Sequence, residues 1–344
     1  MKFKLDMVRS AAMAALAVAM LASCGGGTQI EAFAPKRVIV FGDETSLVTV
    51  GDSAHLAQGR KYTVNGVEFF TDTSVNPAVV IPVSPTNPKC ATNPIWTQVL
   101  ASSYGFAFEE CADSGTVVSQ GVMAAKVDAK AIDLSQQVTL FMSGNNGTLA
   151  SNDLVSVMAG MKDVIDLYES QPDPTTNSAA LINAAGQAGA EVGAQVVRIT
   201  DLGAKVIVST IPDMGLSPYA ANEEALHPGE GRAALLSLLS AELNTRLRLK
   251  LQDVRDGGRA VGLVLADDLV LSMYRLPLSF SLTNVVQGAC TTPLPACDQT
   301  TTQDSVAGQS YGGYWLWADD RHLGPAAQTR LGSLAVTRAR NNPF

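Results

Sequence analysis

The chain has 344 residues, of which 47% are hydrophobic and 16% are charged, and its net charge at neutral pH is −8. A chain of this length can bury the core of one large domain. The acidic balance and the lack of a basic stripe argue against a nucleic acid as partner. Because only three histidines occur and no cysteines have CxxC spacing, we expect no metal site.

The N-terminus predicts export. Three basic residues and one acidic residue precede a short apolar run over residues 11–22, which is typical of a secretory signal. The run ends in Leu21-Ala22-Ser23-Cys24 and is followed by three glycines, which resembles the lipobox of bacterial lipoproteins. We therefore predict a signal peptide over residues 1–23, lipidation of Cys24 and a flexible tether over residues 24–35. The alternative is an ordinary signal peptide with a chance cysteine.

The sequence around the predicted anchor also indicates to which membrane the protein is sorted. Gly25 rather than aspartate follows Cys24, which in bacterial lipoproteins favours the outer membrane. The membrane is then a partner through the lipid, because each buried methylene contributes about 0.8 kcal/mol. Since the signal carries three basic residues and one acidic residue, its removal changes the net charge from −8 to −10.

The other four cysteines are even in number, which in an exported chain indicates disulfides. Of the three ways to pair them, the local pairs Cys90–Cys111 and Cys290–Cys297 are the simplest. A metal site is the competing interpretation, and the cysteine spacing does not favour it.

The pattern of elements predicts an α/β fold. Residues 37–41 form an apolar, β-branched run typical of a buried strand, and residues 45–90 indicate a long irregular excursion with a hairpin at 61–70. Strands then alternate with helices, which favours a central parallel sheet covered on both faces. No strand is followed by a dinucleotide or phosphate-loop motif, so we expect no cofactor. The predicted helices span residues 94–104, 122–143, 164–168, 178–201, 230–256 and 325–340; the predicted strands span 153–159, 206–211 and 260–266; and residues 283–312 are predicted as a loop.

Polar groups follow several predicted strands, where sites of open parallel sheets lie. Gly42-Asp43-Glu44 follows the first strand, residues 160–163 follow the second, and Asp319 and His322 lie near the C-terminus. The order and spacing of these blocks resemble the SGNH (GDSL-type) ester hydrolases, over residues 36–344. The resemblance implies a three-layer sandwich with a flavodoxin-like central parallel sheet, and ester hydrolysis as the family reaction.

The resemblance also implies roles for particular residues. In the family a histidine activates a serine hydroxyl, an aspartate orients the histidine, and N–H groups with an asparagine hold the oxyanion. By match, His322 is the base and Asp319 its orienting partner. Gly115 takes the position of the oxyanion glycine.

Two positions depart from the family pattern. Glu44 stands at the position of the nucleophilic serine, and Lys162 stands at that of the asparagine. A carboxylate there forms no ordinary acyl-enzyme and repels a developing oxyanion. We expect Glu44 and Lys162 to form a structural ion pair in the pocket.

Other serines are weaker candidates for the nucleophile. Ser46 lies two residues beyond Glu44 and is expected to face away from the pocket. Ser53 belongs to a second Gly-Asp-Ser, but no long apolar strand precedes it. The Gly-Asn-Asn at 144–146 is similarly better interpreted as a turn than as an oxyanion block.

Three functions remain open from the sequence. The first is a membrane-anchored hydrolase-like lipoprotein with impaired ester hydrolysis and an ester or acyl small molecule as ligand. The second is a non-catalytic envelope lipoprotein, which either binds an acyl, glycan or protein partner or is purely structural with a closed cleft. The third is an active hydrolase in which Glu44 acts as nucleophile or base, with His322 activating water.

Overall fold

The apolar segment at Arg37–Gly42 forms the central strand of a parallel sheet in this computed structural model. Its residues from Val38 onward are buried, as expected for a strand covered on both faces. The structure describes residues 33–49, 59–82, 89–108, 111, 121–124, 133–144, 148–255, 257, 260–304 and 311–341. The described residues from Ala34 onward belong to one compact unit.

The described strands form one large sheet and two small ones. The large sheet has the order β4-β5-β1-β6-β7-β8, and all of its neighbouring strands are parallel. Strands β2 and β3 form an antiparallel pair, and β9 pairs with β10. The strands are β1 (Arg37–Gly42), β2 (Phe69–Asp72), β3 (Val79–Pro82), β4 (Ala107–Phe108), β5 (Gly121–Ala124), β6 (Asp153–Met158), β7 (Lys205–Ser209), β8 (Val261–Val264), β9 (Asn284–Gly288) and β10 (Trp315–Trp317).

Helices cover both faces of the large sheet. The α-helices are α1 (Trp96–Ser102), α2 (Leu134–Ser143), α3 (Met161–Glu169), α4 (Ser178–Asp201), α5 (Pro218–Leu226), α6 (Arg232–Lys250), α7 (Ala266–Arg275) and α8 (Pro325–Asn341). Apolar residues of β1, β6 and β7 share one core cluster with residues of α2, α4 and α6. Helix α8 packs against β7, β8 and α1. The predicted three-layer α/β architecture is therefore confirmed.

Sequence patterns placed three segments wrongly. The predicted helix at 122–143 begins only at Leu134, where the Asp133 side chain accepts a hydrogen bond from the Gln136 N–H, whereas Gly121–Ala124 is strand β5. Four residues are too few to distinguish helix from strand by period, and pairing with the distant β1 decides the outcome. The predicted hairpin at 61–70 is also wrong, because the antiparallel pair is β2–β3.

The predicted loop at 283–312 contains strand β9, which pairs with β10. Both predicted disulfides are present. Cys90 joins Cys111 and Cys290 joins Cys297, with Cα atoms 5.2 Å and 5.8 Å apart. No helix in the described ranges is long and apolar enough to cross a membrane. The predicted signal peptide and Cys24 lie outside the described residues.

The strand order creates a crevice between β1 and β6. After β1 the chain continues to β4 and β5 on one side of the sheet, whereas after β6 it continues to β7 and β8 on the other. Sites of open parallel sheets lie outside such switch points, at the carboxyl ends of the strands. Gly42 ends β1 here with φ of 145°, and a Cβ on it would lie 2.0 Å from the Met158 carbonyl oxygen. Only glycine permits this close approach of the two strands.

Candidate active site

Glu44 enters the crevice on a short turn after β1. Asp43 caps a 3₁₀ turn at Glu44–Ser46, and its Oδ1 accepts a hydrogen bond from the Thr45 N–H at 3.1 Å. The Glu44 side chain is 16% exposed and lines the pocket above the sheet. The predicted nucleophile position therefore faces the crevice.

His322 reaches the same crevice from the loop after β10. Its Nδ1 lies 2.8 Å from Asp319 Oδ2 and 3.0 Å from Oδ1. The backbone N–H groups of Arg321 and His322 also donate to Asp319 Oδ1, at 3.0 Å and 2.7 Å. A tight turn thus fixes the carboxylate beside the ring and orients the imidazole.

The second ring nitrogen of His322 faces Glu44. Its Nε2 lies 3.3 Å from Glu44 Oε1, although the two residues are 278 positions apart in sequence. Each nitrogen of one imidazole therefore has a carboxylate partner. An imidazole with acceptors on both nitrogens satisfies both only as the doubly protonated cation.

The electrostatics agree with this geometry. Burial alone lowers the pKa of His322, but the hydrogen bonds and charges of Asp319 and Glu44 outweigh it and raise the pKa to about 10. Burial raises the pKa of Glu44 and of Asp319, but His322 outweighs it and lowers both overall. At neutral pH the group is a carboxylate–imidazolium–carboxylate cluster.

Asp43 differs from these two carboxyl groups. Its Oδ2 is buried and has no hydrogen-bond partner among the described residues. Burial, and next the charge of Glu44, raise the pKa of Asp43 to about 8. A protonated Asp43 adds no negative charge beside Glu44 at neutral pH.

The expected ion pair between Glu44 and Lys162 is not formed. Lys162 lies in the first turn of α3, and its Nζ contacts both carboxylate oxygens of Asp166 at 2.7 Å. The pair is half exposed. Asp166 is one helical turn away on the same helix, so Lys162 pairs with this neighbour and not with Glu44. Glu44 forms its ion pair with His322 instead.

Glu44, Lys162 and His322 line one open pocket of about 220 Å³. One part of its wall is apolar, made of three side chains that the sequence did not single out: Met161, Ile165 and Met214. Arg321 is a further cation at the pocket, and its guanidinium lies 4.7 Å from the ring centre of Tyr219. The lining thus combines an apolar wall with paired charges.

The remaining candidates lie elsewhere. Ser46 is buried, and its Oγ accepts a hydrogen bond from the Trp96 indole at 3.1 Å, so it faces away from the pocket as expected. Gly115, Ser53 and Asn145-Asn146 lie outside the described residues. Among the residues that the structure describes, no group of three or more His, Cys, Asp or Glu side chains is placed to hold a metal ion.

The fold and the His–Asp pair at the switch point define a hydrolase-like α/β protein. A family model described as GDSL-like Lipase/Acylhydrolase matches residues 47–335. The match covers well over half of the chain, which therefore belongs to this family. It includes Ser53, Asp319 and His322 but begins after β1 and Glu44. No curated protein was found to match the chain.

Proposed function

We propose that this chain is a GDSL-family protein in which ester hydrolysis is impaired at the Glu44–His322 contact. The observation that carries the proposal is the 3.3 Å separation of His322 Nε2 from Glu44 Oε1. In a serine hydrolase this nitrogen takes the proton of the nucleophilic hydroxyl. Here it faces a carboxylate that has no such proton to give.

Two further properties of the site oppose hydrolysis. With its pKa raised to about 10, His322 is an imidazolium at neutral pH and cannot accept a proton as general base. Glu44 also places negative charge beside the position where an ester substrate would develop an oxyanion. Its lowered pKa keeps that charge in place.

The direct test is an esterase assay on p-nitrophenyl acetate and butyrate, comparing the wild type with His322→Ala. We expect the turnover of the wild type to be as low as that of His322→Ala. We also expect a fluorophosphonate to label neither Ser46 nor Ser53. Robust turnover that His322→Ala abolishes, with a labelled Ser53, would show that the nucleophile comes from residues 50–58 and would overturn the proposal. Robust turnover without serine labelling would support Glu44 as an unusual nucleophile or base.

A second candidate function is binding without catalysis, and the open pocket supports it. Met161, Ile165 and Met214 form a largely buried apolar wall against which a short acyl chain would pack, and Lys162 and Arg321 lie at the same pocket. Methionine methyl NMR with octanoate or an uncleaved ester is the test. Shifts of the Met161 and Met214 signals that disappear in Ile165→Asp support binding; unchanged spectra at millimolar ligand contradict it.

We also infer that the protein is exported and anchored by a lipid on Cys24. The basic and apolar N-terminus and the lipobox-like Leu21–Cys24 support this inference. Two disulfides in the domain agree with an oxidising compartment. The outer membrane is the proposed destination, with the domain held beside it by the tether at 24–35.

A further inference from the structure

The aromatic ring of Tyr62 lies against the imidazole of His322. The two ring centres are 5.5 Å apart and their planes are inclined by 41°. Tyr62 belongs to residues 61–65, an irregular segment that we call the brace. We propose that Tyr62 is a positioning residue for His322, stabilising the imidazolium, and that the brace holds the tyrosine in place.

Lys61 anchors the start of the brace. Its side chain is fully buried, and its Nζ donates to the carbonyl oxygens of Cys90, Thr92 and Asn93 at 2.8, 2.8 and 2.9 Å. These three acceptors match the three hydrogens of the ammonium form, and burial lowers the pKa of Lys61 to about 7. A buried lysine is rare unless its charge is satisfied in this way, so this side chain ties the brace firmly to the loop before α1.

Asn65 anchors the other end. Its side-chain Nδ2, which carries two hydrogens, lies within hydrogen-bond distance of the carbonyl oxygens of Pro295 and Cys297, at 3.0 Å and 2.9 Å, and of Lys61 O at 3.0 Å. The Lys61 N–H in turn donates to Asn65 Oδ1 at 2.8 Å. The brace is therefore closed on itself and fixed to the loop stapled by the Cys290–Cys297 disulfide.

Thr63 connects the brace directly to the histidine loop. Its buried Oγ1 donates to the carbonyl oxygen of Leu323 at 2.9 Å. Leu323 is the residue after His322, so the histidine ring and the backbone of the next residue are contacted by neighbouring residues of the brace. None of these contacts belongs to the Glu44–His322–Asp319 cluster itself.

The chemistry of the pair favours a cation beside the aromatic ring. A cation that lies over the face of an aromatic ring, within about 6 Å of its centre, is attracted by the ring quadrupole. Among the described residues, the other charged or titratable groups near His322 are Asp319 and Arg321 on its own loop, Asp43 and Glu44 after β1, and Lys162 on α3. Substitution of Tyr62 removes none of these groups, so a shift in the pKa of His322 that occurs with leucine but not with phenylalanine reports on the ring.

The test is NMR titration of the histidine ring protons in the full chain, where only three histidines occur. We expect Tyr62→Leu to lower the pKa of His322 by about half a unit or more, whereas Tyr62→Phe keeps it near the wild-type value. Tyr314→Leu is the matched control, because Tyr314 is 53% exposed and should leave the pKa unchanged. A role confined to stability would lower the melting temperature of Tyr62→Leu but leave the pKa of His322 unchanged.

Thr63→Val provides a second measurement if Tyr62→Leu does not fold. It keeps the ring but removes the hydrogen bond to Leu323, and we expect a smaller shift in the same direction. The proposal is overturned if Tyr62→Leu leaves the pKa of His322 unchanged. If Tyr62→Leu does not fold, an unchanged pKa in Thr63→Val overturns it instead. The titration does not depend on catalysis, so its outcome is independent of whether ester hydrolysis is impaired.

Discussion

Glu44 Oε1 and His322 Nε2 lie 3.3 Å apart at the carboxyl edge of the sheet, where β1 and the loop after β10 meet. The carboxylate of Asp319 contacts the other nitrogen of the same ring, Nδ1. The histidine is thereby held as a cation between two anions, whereas ester hydrolysis requires it to be a neutral base. Under the proposed function, His322 and Asp319 correspond to the base and its orienting partner in a catalytic triad, and Glu44 stands in place of the nucleophile.

Replacing Glu44 by serine should restore part of a hydrolytic site. Glu44→Ser removes one of the two carboxylates that raise the pKa of His322 and supplies a hydroxyl near Nε2. We expect p-nitrophenyl ester turnover at least about tenfold above the wild type, because the variant supplies a hydroxyl that His322 can activate and removes the negative charge beside the developing oxyanion. The double variant Glu44→Ser with Lys162→Asn should exceed the single one.

The matched control for this gain is Glu44→Gln, which removes the charge without adding a nucleophile. It should stay as inactive as the wild type, and His322→Ala should abolish any activity gained by Glu44→Ser. If Glu44→Ser gains nothing while its His322 titrates near neutral pH, the missing nucleophile is not what limits hydrolysis.

Stability at alkaline pH should depend on His322. Its folded-state pKa of about 10 is above the ordinary value of 6.5, so its contribution to the free energy of unfolding is fully present below about pH 6.5 and is lost as the pH rises through 10. The stability difference between wild type and His322→Gln should therefore shrink by a few kcal/mol between pH 7 and pH 10.5, since one pKa unit corresponds to about 1.4 kcal/mol. Urea unfolding at several pH values measures it, and a constant difference contradicts it.

Acid should act through the two carboxylates with the opposite sign. The lowered pKa values of Glu44 and Asp319 mean that their contributions are present above the ordinary carboxyl range and are lost as the pH falls through the folded values. Asp319→Asn should flatten the loss of stability below pH 4 relative to the wild type. Parallel acid denaturation curves for the two proteins would be the contrary result.

Gly42→Ala should destabilise the fold strongly. The added Cβ would lie 2.0 Å from the Met158 carbonyl oxygen, at a φ that L-residues rarely adopt. We expect the free energy of unfolding to fall by about 3 kcal/mol or more, because the backbone of the two strands must move apart. Gly105→Ala is the control: it also has positive φ, but nothing lies within 4 Å of its Cβ, so about 1 kcal/mol should be lost. Equal losses in thermal unfolding would show that the strand contact is unimportant.

Lipidation of Cys24 is a separate prediction. A radiolabelled fatty acid supplied to growing cells should mark the wild type and leave Cys24→Ser unlabelled, because the thiol is the attachment point. The variant should also leave the membrane fraction, since the anchor is lost. Equal labelling of both proteins would argue for an ordinary signal peptide.

The sequence determined the main architecture because its signals are local. The buried strand at residues 37–41, the helix at 178–201 and the final helix from residue 325 follow from apolar periodicity and flanking residues. Strand β5 could not be predicted in this way, since its four residues have no clear hydrophobic period. They form a strand because they pair with β1.

The sequence by itself also placed Glu44 and His322 at one site, because each follows a recognisable motif. Only the tertiary structure decided which charges meet there. Lys162 reaches Asp166 one turn along its own helix, whereas Glu44 meets His322 across 278 positions. Tyr62 likewise has no sequence signal, since its place against the imidazole depends on the hydrogen bonds that fix residues 61–65 to three distant loops. Motifs specify which side chains occupy an edge of the sheet, but side-chain distances, and therefore charge pairing, follow from packing between segments that are remote in the chain.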